Sequence, residues 1–156
     1  MRWLTGEEEQ AWRALASMMH KLGWALECQL KRDADLSFIE YHTLARLSEE
    51  PTRTLRMSEL AEVTDASLSR LSHLVTRLEK WGFVRREPDP TDGRYTNAVL
   101  TKVGYAKLRR SAPAHVEAVR QLVIDELSPT ELAKLSAFCE RILARVDASA
   151  WKQPLT

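Results

Sequence analysis

The sequence predicts a mainly α fold with one small β-hairpin, and three observations predict it. Residues 67–80 place apolar side chains at Leu71, Leu74, Val75 and Leu78, one stripe of a 3.6-residue period. Two short runs rich in strand formers, 83–87 and 95–100, flank a turn that holds Pro88, Pro90 and Gly93. Capping-box spacings at Thr5/Glu8, Ser37/Glu40 and Ser128/Glu131, the last with Pro129 at the first helical position, mark three further helix starts.

Taken in order, the first helix is expected from about Glu7 to Lys31, with Trp12, Leu15, Met19, Leu22 and Leu26 forming one apolar seam. A second starts after Ser37, and a short one at Met57-Ser58-Glu59-Leu60-Ala61-Glu62 precedes the helix of residues 67–80. Opposite the apolar stripe of that helix lie Ser69, His73, Thr76 and Lys80, with Arg70 and Arg77 on the flank and Ser67 at the start. This face offers hydroxyl, imidazole, guanidinium and ammonium donors but no carboxylate, because Glu79 falls off it, so it suits contact with nucleic acid. Arg77 and Lys80 are placed for phosphates rather than bases.

The hairpin carries a second set of candidates. Arg85 and Arg86 form a basic approach strand, the two prolines cannot continue a ladder, and Gly93 is expected to take a positive φ at the tip. Arg94 is thereby held out from the body, where it suits a narrow minor groove, and Asp92 can hold its guanidinium in place. Two short helices, a strand, a charged turn and a second strand make a winged helix-turn-helix. Beyond it, residues 101–127 are expected to be helical with an interruption at Pro113. A last helix from Ser128 to Val146 has the seam Leu132, Leu135, Cys139, Ile142 and Val146, and the tail Trp151–Thr156 is expected to fray.

Charge distribution supports the same reading. The net charge is only +1, yet residues 51–110 hold 12 Lys and Arg against 7 Asp and Glu, while residues 1–50 and 111–156 are each slightly acidic. Positive charge therefore sits on the expected reader, and the acidic helical ends suit another partner, a second copy of the chain. At 156 residues the chain is expected to be a single domain. No run approaches the roughly 20 apolar residues needed to cross a bilayer, and the start has neither a basic segment nor an apolar run, so a cytoplasmic location without a membrane partner is expected.

The stretch Arg70-Leu71 through Leu78-Glu79-Lys80-Trp81-Gly82-Phe83-Val84-Arg85-Arg86, followed by Asp92-Gly93-Arg94 and Leu100-Thr101, resembles the MarR family of bacterial transcriptional regulators. The family's wing motif of Asp, any residue, Arg, and then Leu-Thr stands here with matching spacing. One departure is Thr64-Asp65-Ala66 in the turn, where members usually carry Leu followed by Gly or Ser. The resemblance implies a homodimer whose terminal helices, residues 1–50 and 102–147, interleave across a two-fold, with residues 51–101 as the winged helix-turn-helix. It implies a repressor of a pseudo-palindromic double-stranded operator, released by a small and often aromatic acid. The pocket for that effector would draw on His20, Trp24, Tyr41, His42 and Arg46, with Trp24 as a stacking surface and Arg46 as an anion partner.

Other chemistries find little support. No glycine-rich phosphate loop, nucleophile elbow or His-Glu-x-x-His run occurs, so neither an enzyme nor a cofactor is expected. His20, His42, His73 and His115 lie far apart and predict no metal site. Cys139 reads as a small core hydrophobe on its seam, whereas Cys28, with Lys21 and Lys31 nearby, leaves open a thiol-based redox trigger on the same fold. A winged-helix protein-interaction module that does not read DNA is the remaining alternative, and the carboxylate-free face argues against it.

Overall fold

The computed structural model describes residues 1–147. Their order is α1 (Gly6–Ala34), α2 (Phe38–Glu49), β1 (Thr54–Arg56), α3 (Met57–Val63), α4 (Leu68–Lys80), β2 (Val84–Pro88), β3 (Thr96–Leu100), α5 (Lys102–Val119), a π-helical turn (Arg120–Ile124) and α6 (Pro129–Asp147). This is the mainly α fold with a small antiparallel sheet that the periodicity predicts. Two compact units divide the chain, Met1–Val116 and the residues from Glu117 onward.

Local signals set most helix ends in the first unit. Thr5 and Ser37 are N-caps whose hydroxyls accept from the Glu8 and Glu40 amides, and both glutamates return to the cap amide. Three helices end in the left-handed conformation, each by a different residue. Asp35 (φ 48°) closes α1, Asp65 (φ 52°) follows α3, and Gly82 (φ 73°) follows α4. At Gly82 the amide donates to Glu79 O at 2.9 Å and Phe83 N to Leu78 O at 2.9 Å, the paired 5→2 and 6→1 bonds that satisfy the last carbonyls. Positive φ is thus needed at Gly82 and not at Gly93, contrary to the expectation for the wing tip.

The sheet has the order β1-β3-β2, all antiparallel. Strand β1 was not expected from the sequence: it exists by pairing Thr54 with Val99 and Arg56 with Asn97. Pro88 ends β2 opposite Thr96, so one of the two prolines belongs to the ladder after all. It does so as the terminal residue, and the next amide toward the wing tip, Asp89 N, bonds Tyr95 O at 3.0 Å.

One apolar core holds these elements. Leu30 and Leu36 at the α1–α2 corner, Leu44 and Leu47 of α2, Leu60 of α3, and Leu71, Val75 and Leu78 of α4 are fully enclosed. Each such side chain contributes roughly 1.5–3 kcal/mol of burial relative to exposure. Where β2 meets α5 the backbones touch closely: a Cβ at Gly104 would lie 2.1 Å from Phe83 O, so only glycine fits. Helix α5 also runs through Pro113, where an interruption was expected, and the irregularity comes instead as the π turn at Arg120–Ile124.

In the second unit the Ser128 hydroxyl and amide bond Glu131 at 2.7 and 2.8 Å and start α6 as its capping box predicts. No residue of α6 is buried. Cys139, expected in a core, is exposed, and Phe138, Ile142, Leu143 and Val146 face solvent beside it. The expected fraying at Trp151–Thr156 lies outside the described residues.

Candidate nucleic-acid interface

Helix α4 is held by its buried stripe, Leu71, Leu74, Val75 and Leu78, and starts at Ser67, whose hydroxyl accepts from Arg70 N at 3.3 Å. Ser69, Arg70, His73, Thr76, Arg77 and Lys80 are all exposed. The sole carboxylate of the helix, Glu79, turns sideways to β2. The solvent face is therefore a row of hydrogen-bond donors uninterrupted by negative charge, the pattern expected from the sequence.

Two members of that row are already engaged. Arg77 Nη2 lies 2.5 Å from Glu40 Oε1, which accepts no well-angled hydrogen bond, so the contact is an ion pair rather than an aligned bond. The Thr76 hydroxyl donates to Ser72 O at 2.9 Å and accepts from Arg86 Nη1 at 3.1 Å. Arg86, expected on a basic approach strand, directs its guanidinium at α4. Its Nη1 meets Glu79 Oε2, its Nη2 meets Ser72 O at 2.6 Å and Ser72 Oγ at 3.2 Å, and its amide donates to Glu79 Oε1 at 2.9 Å.

The wing is stiffened around two aspartates. Asp89 Oδ1 accepts from Thr91 N, Thr91 Oγ1 and Asp92 N, while its Oδ2 accepts from Arg56 Nε at 2.8 Å. These bonds, led by the Thr91 hydroxyl, hold the Asp89 carboxyl far below the usual carboxylate range. Arg56 also lies over the Tyr95 ring, 4.7 Å from its centroid. At the tip Asp92 accepts from Arg94 Nε at 3.0 Å and Nη2 at 2.6 Å, which lowers the Asp92 pKa and raises that of Arg94. Arg94 is still 84% exposed, so it is oriented without being consumed.

Helix and wing face each other across a cleft of ≈ 420 Å³, lined by Leu68, Ser72, Arg86, Arg94, Tyr95 and Arg56 among others. Arg56 was missed by sequence reasoning, because its partners lie 33 and 39 positions away and only the β1–β3 pairing brings them together.

The residues proposed for an effector pocket are only partly assembled. Tyr41 and His42 join Phe38 and His115 in one aromatic cluster, with His115 4.4 Å from Tyr41 and Phe38 4.2 Å from His42 between ring centroids. His115 Nδ1 is 2.9 Å from Gln29 Oε1, and the Gln29 amide nitrogen donates to Asp33 at 3.0 Å. That donation directs the Gln29 oxygen at the ring, so Nδ1 carries the proton. His20 and Trp24 are exposed on α1 instead, and Arg46 pairs with Glu49 at 3.0 Å. His115 was weighed only as a metal ligand and Gln29 not at all, although Gly104, Leu108, Ser111 and His115 are the buried stripe of α5 and their four-three-four spacing is legible. Cys28 is an exposed free thiol. Among the described residues there is no cluster of three metal-ligating side chains, and no helix is long and apolar enough to cross a membrane.

Comparison with known proteins places this geometry in a family. The sequence profile of the MarR family matches residues 34–94. The crystal structure of Sco3205, a MarR family transcriptional regulator from Streptomyces coelicolor in complex with DNA, is similar with a TM-score of 0.90 and 46% identity, over 96% of this chain and 93% of that one. AbsC, another MarR family transcriptional regulator of Streptomyces coelicolor, is similar with a TM-score of 0.92 and 39% identity, over 96% of this chain and 100% of that one. An uncharacterized HTH-type transcriptional regulator of Bacillus subtilis, YfiV, is 29% identical over 136 residues, 80% of this chain and 83% of its own length. With a close relative matched over nearly its whole length and the wing motif in place, the chain belongs to the MarR family of transcriptional regulators.

Proposed function

We infer that the protein is a homodimeric repressor that reads a pseudo-palindromic DNA site in the cytoplasm. One observation carries the reading: α4 exposes a carboxylate-free donor face, and the wing that adjoins the helix across the Leu68 and Ser72 side of a cleft exposes a clamped Arg94, a pairing that suits one duplex. Arg70, Ser69 and His73 are the base-reading candidates, Lys80 the phosphate contact, and Ser67, Thr76 and Arg77 border that surface. Asp92 holds Arg94 toward the minor groove. The DNA-bound relative Sco3205 supports the same role here.

Residues 51–101 form the DNA-binding part, and residues 1–50 and 102–147 supply the dimer. The apolar seam of α1 leaves Trp12 and Met19 more than half exposed, and that of α6 buries no residue, with Leu132 and Leu135 partly covered and Cys139, Ile142 and Val146 exposed. Seams so regular and so open are finished by a second copy. An effector with an aromatic ring fits beside Tyr41 and His42, with Phe38 and His115 completing the aromatic wall, and its binding shifts the dimer away from the DNA-competent arrangement. Trp24, His20 and Arg46 join that site only through the partner or through movement.

Selection of duplexes from a random pool by the purified protein tests the reading. It is expected to enrich a pseudo-palindrome with half-sites about one helical turn, ~34 Å, apart. Recovery of no preferred sequence would overturn it.

A further inference from the structure

We propose that Arg86 is a positioning residue that fixes the wing against the recognition helix, and that it does not touch DNA. The inference rests on the DNA-reading function proposed above and goes beyond it in assigning how the two reading elements are registered. Arg86 sits near the middle of β2, opposite Ala98 of β3, so it is carried by the wing's own ladder. Its guanidinium crosses to α4 and meets four acceptors on successive turns: Ser72 O, Ser72 Oγ, Thr76 Oγ1 and Glu79 Oε2. Glu79 answers with its second oxygen, which accepts the Arg86 amide. Both partners are about three-quarters covered, so the pair is screened less than the surface pairs nearby.

The geometry explains why these residue types stand here. A planar guanidinium is needed to meet acceptors that lie on two sides of one side chain, and a lysine has only one end to offer. Ser72, Thr76 and Glu79 follow at spacings of four and three, which is one stripe of a helix, and it meets the reading face at Thr76. Arg70 reads from the helix and Arg94 from the wing, so their offset determines whether both reach their grooves on one duplex. The clamp between α4 and β2 sets that offset.

The test uses the full-length protein on its selected operator and on random duplex, with salt titrations. Glu79→Gln removes a negative charge near DNA, so simple electrostatics predicts tighter binding. The clamp predicts the reverse: about fivefold to tenfold weaker operator binding, with random-duplex affinity and salt slope unchanged. Arg86→Lys keeps the charge and a partner for Glu79, which preserves the fold; a clamp predicts a comparable loss of operator affinity, whereas a phosphate contact predicts binding near that of the parent protein. Operator affinity unchanged or improved in Glu79→Gln, or a salt slope smaller by about one unit in Arg86→Ala, would overturn the proposal. If the parent protein selects no operator, the DNA reading itself fails, a result separate from any of these.

Discussion

Arg77 on α4 and Glu40 on α2 are joined by an ion pair of 2.5 Å, and the carboxylate is completely buried while the guanidinium is half exposed. Glu40 is also the third residue of the α2 capping box, accepting Ser37 N at 2.6 Å, and Lys31 of α1 lies 3.9 Å from the same carboxylate. One acid thus ties the start of α2, the end of α1 and the reading helix together.

That arrangement makes Arg77 a stability residue first. Arg77→Ala would leave the buried Glu40 carboxylate with the Ser37 amide and, as counter-charge, the more distant Lys31, at a cost of about 1–3 kcal/mol, less than for a fully enclosed pair because solvent already screens the guanidinium. Lys80→Ala, one turn on and without a described partner bond, is expected to change stability by less than about 0.5 kcal/mol. Urea unfolding of both variants checks the contrast, and equal stabilities would show that the Glu40 pair contributes nothing.

The histidine cluster gives a pH dependence with a definite sign. Burial pushes His42 and His115 below the ordinary imidazole value, reinforced at His42 by Arg46 against the opposing pull of Glu49, and at His115 by His42. Unfolded, both titrate near ~6.5. Above that pH both states are neutral and stability is level; as pH falls below it, the unfolded chain binds protons that the folded chain resists, and stability declines until the folded values are passed. The urea midpoint should therefore drop between about pH 7 and pH 5, and His115→Gln should flatten the fall. A midpoint that rises toward pH 5 would contradict this account.

At the wing, charge and geometry are separable. Arg94→Lys keeps the charge but loses the planar fork that Asp92 holds by two nitrogens, so it should restore little of the binding lost in Arg94→Ala. Asp92→Asn removes a negative charge yet should weaken operator binding, since Arg94 loses its orientation. Tighter binding by Asp92→Asn would reduce the wing to a diffuse positive patch.

Much of this was legible because it is local. Capping boxes at Thr5/Glu8 and Ser37/Glu40, the stripe of α4 and the Asp92–Arg94 spacing all act within a few residues, so the sequence states them directly. Strand β1 was not legible, since Thr54–Arg56 become a strand only by meeting residues more than forty positions on. Gly93 misled because a turn glycine reads as a positive-φ position, while the chain spends that freedom at Gly82 to close α4. The partners of Arg86 were hidden for a related reason: in sequence it is one more basic residue on a basic strand, and only the packing of β2 on α4 reveals the acceptors its guanidinium meets.

The proposed dimer is open to test at the exposed seam of α6. Leu135→Asp or Ile142→Asp would set an unpaired carboxylate in the apolar seam of α6, at a cost of several kcal/mol, on the order of that for burying any lone charge. Folding and dimerisation should fail together, monitored by circular dichroism and sedimentation. A stable helical monomer from either variant would mean that the terminal helices complete no shared core.

Sequence-specific reading by α4 is the central claim, and the affinity of Arg70→Ala for the selected operator and for random duplex, measured across salt concentrations, tests it most directly. Arg in the major groove donates two hydrogen bonds to guanine O6 and N7, so the variant should lose roughly tenfold or more on the operator and little on random duplex. Equal losses on both duplexes, with the salt slope reduced by about one unit, would place Arg70 on a phosphate and contradict the claim that this face reads bases.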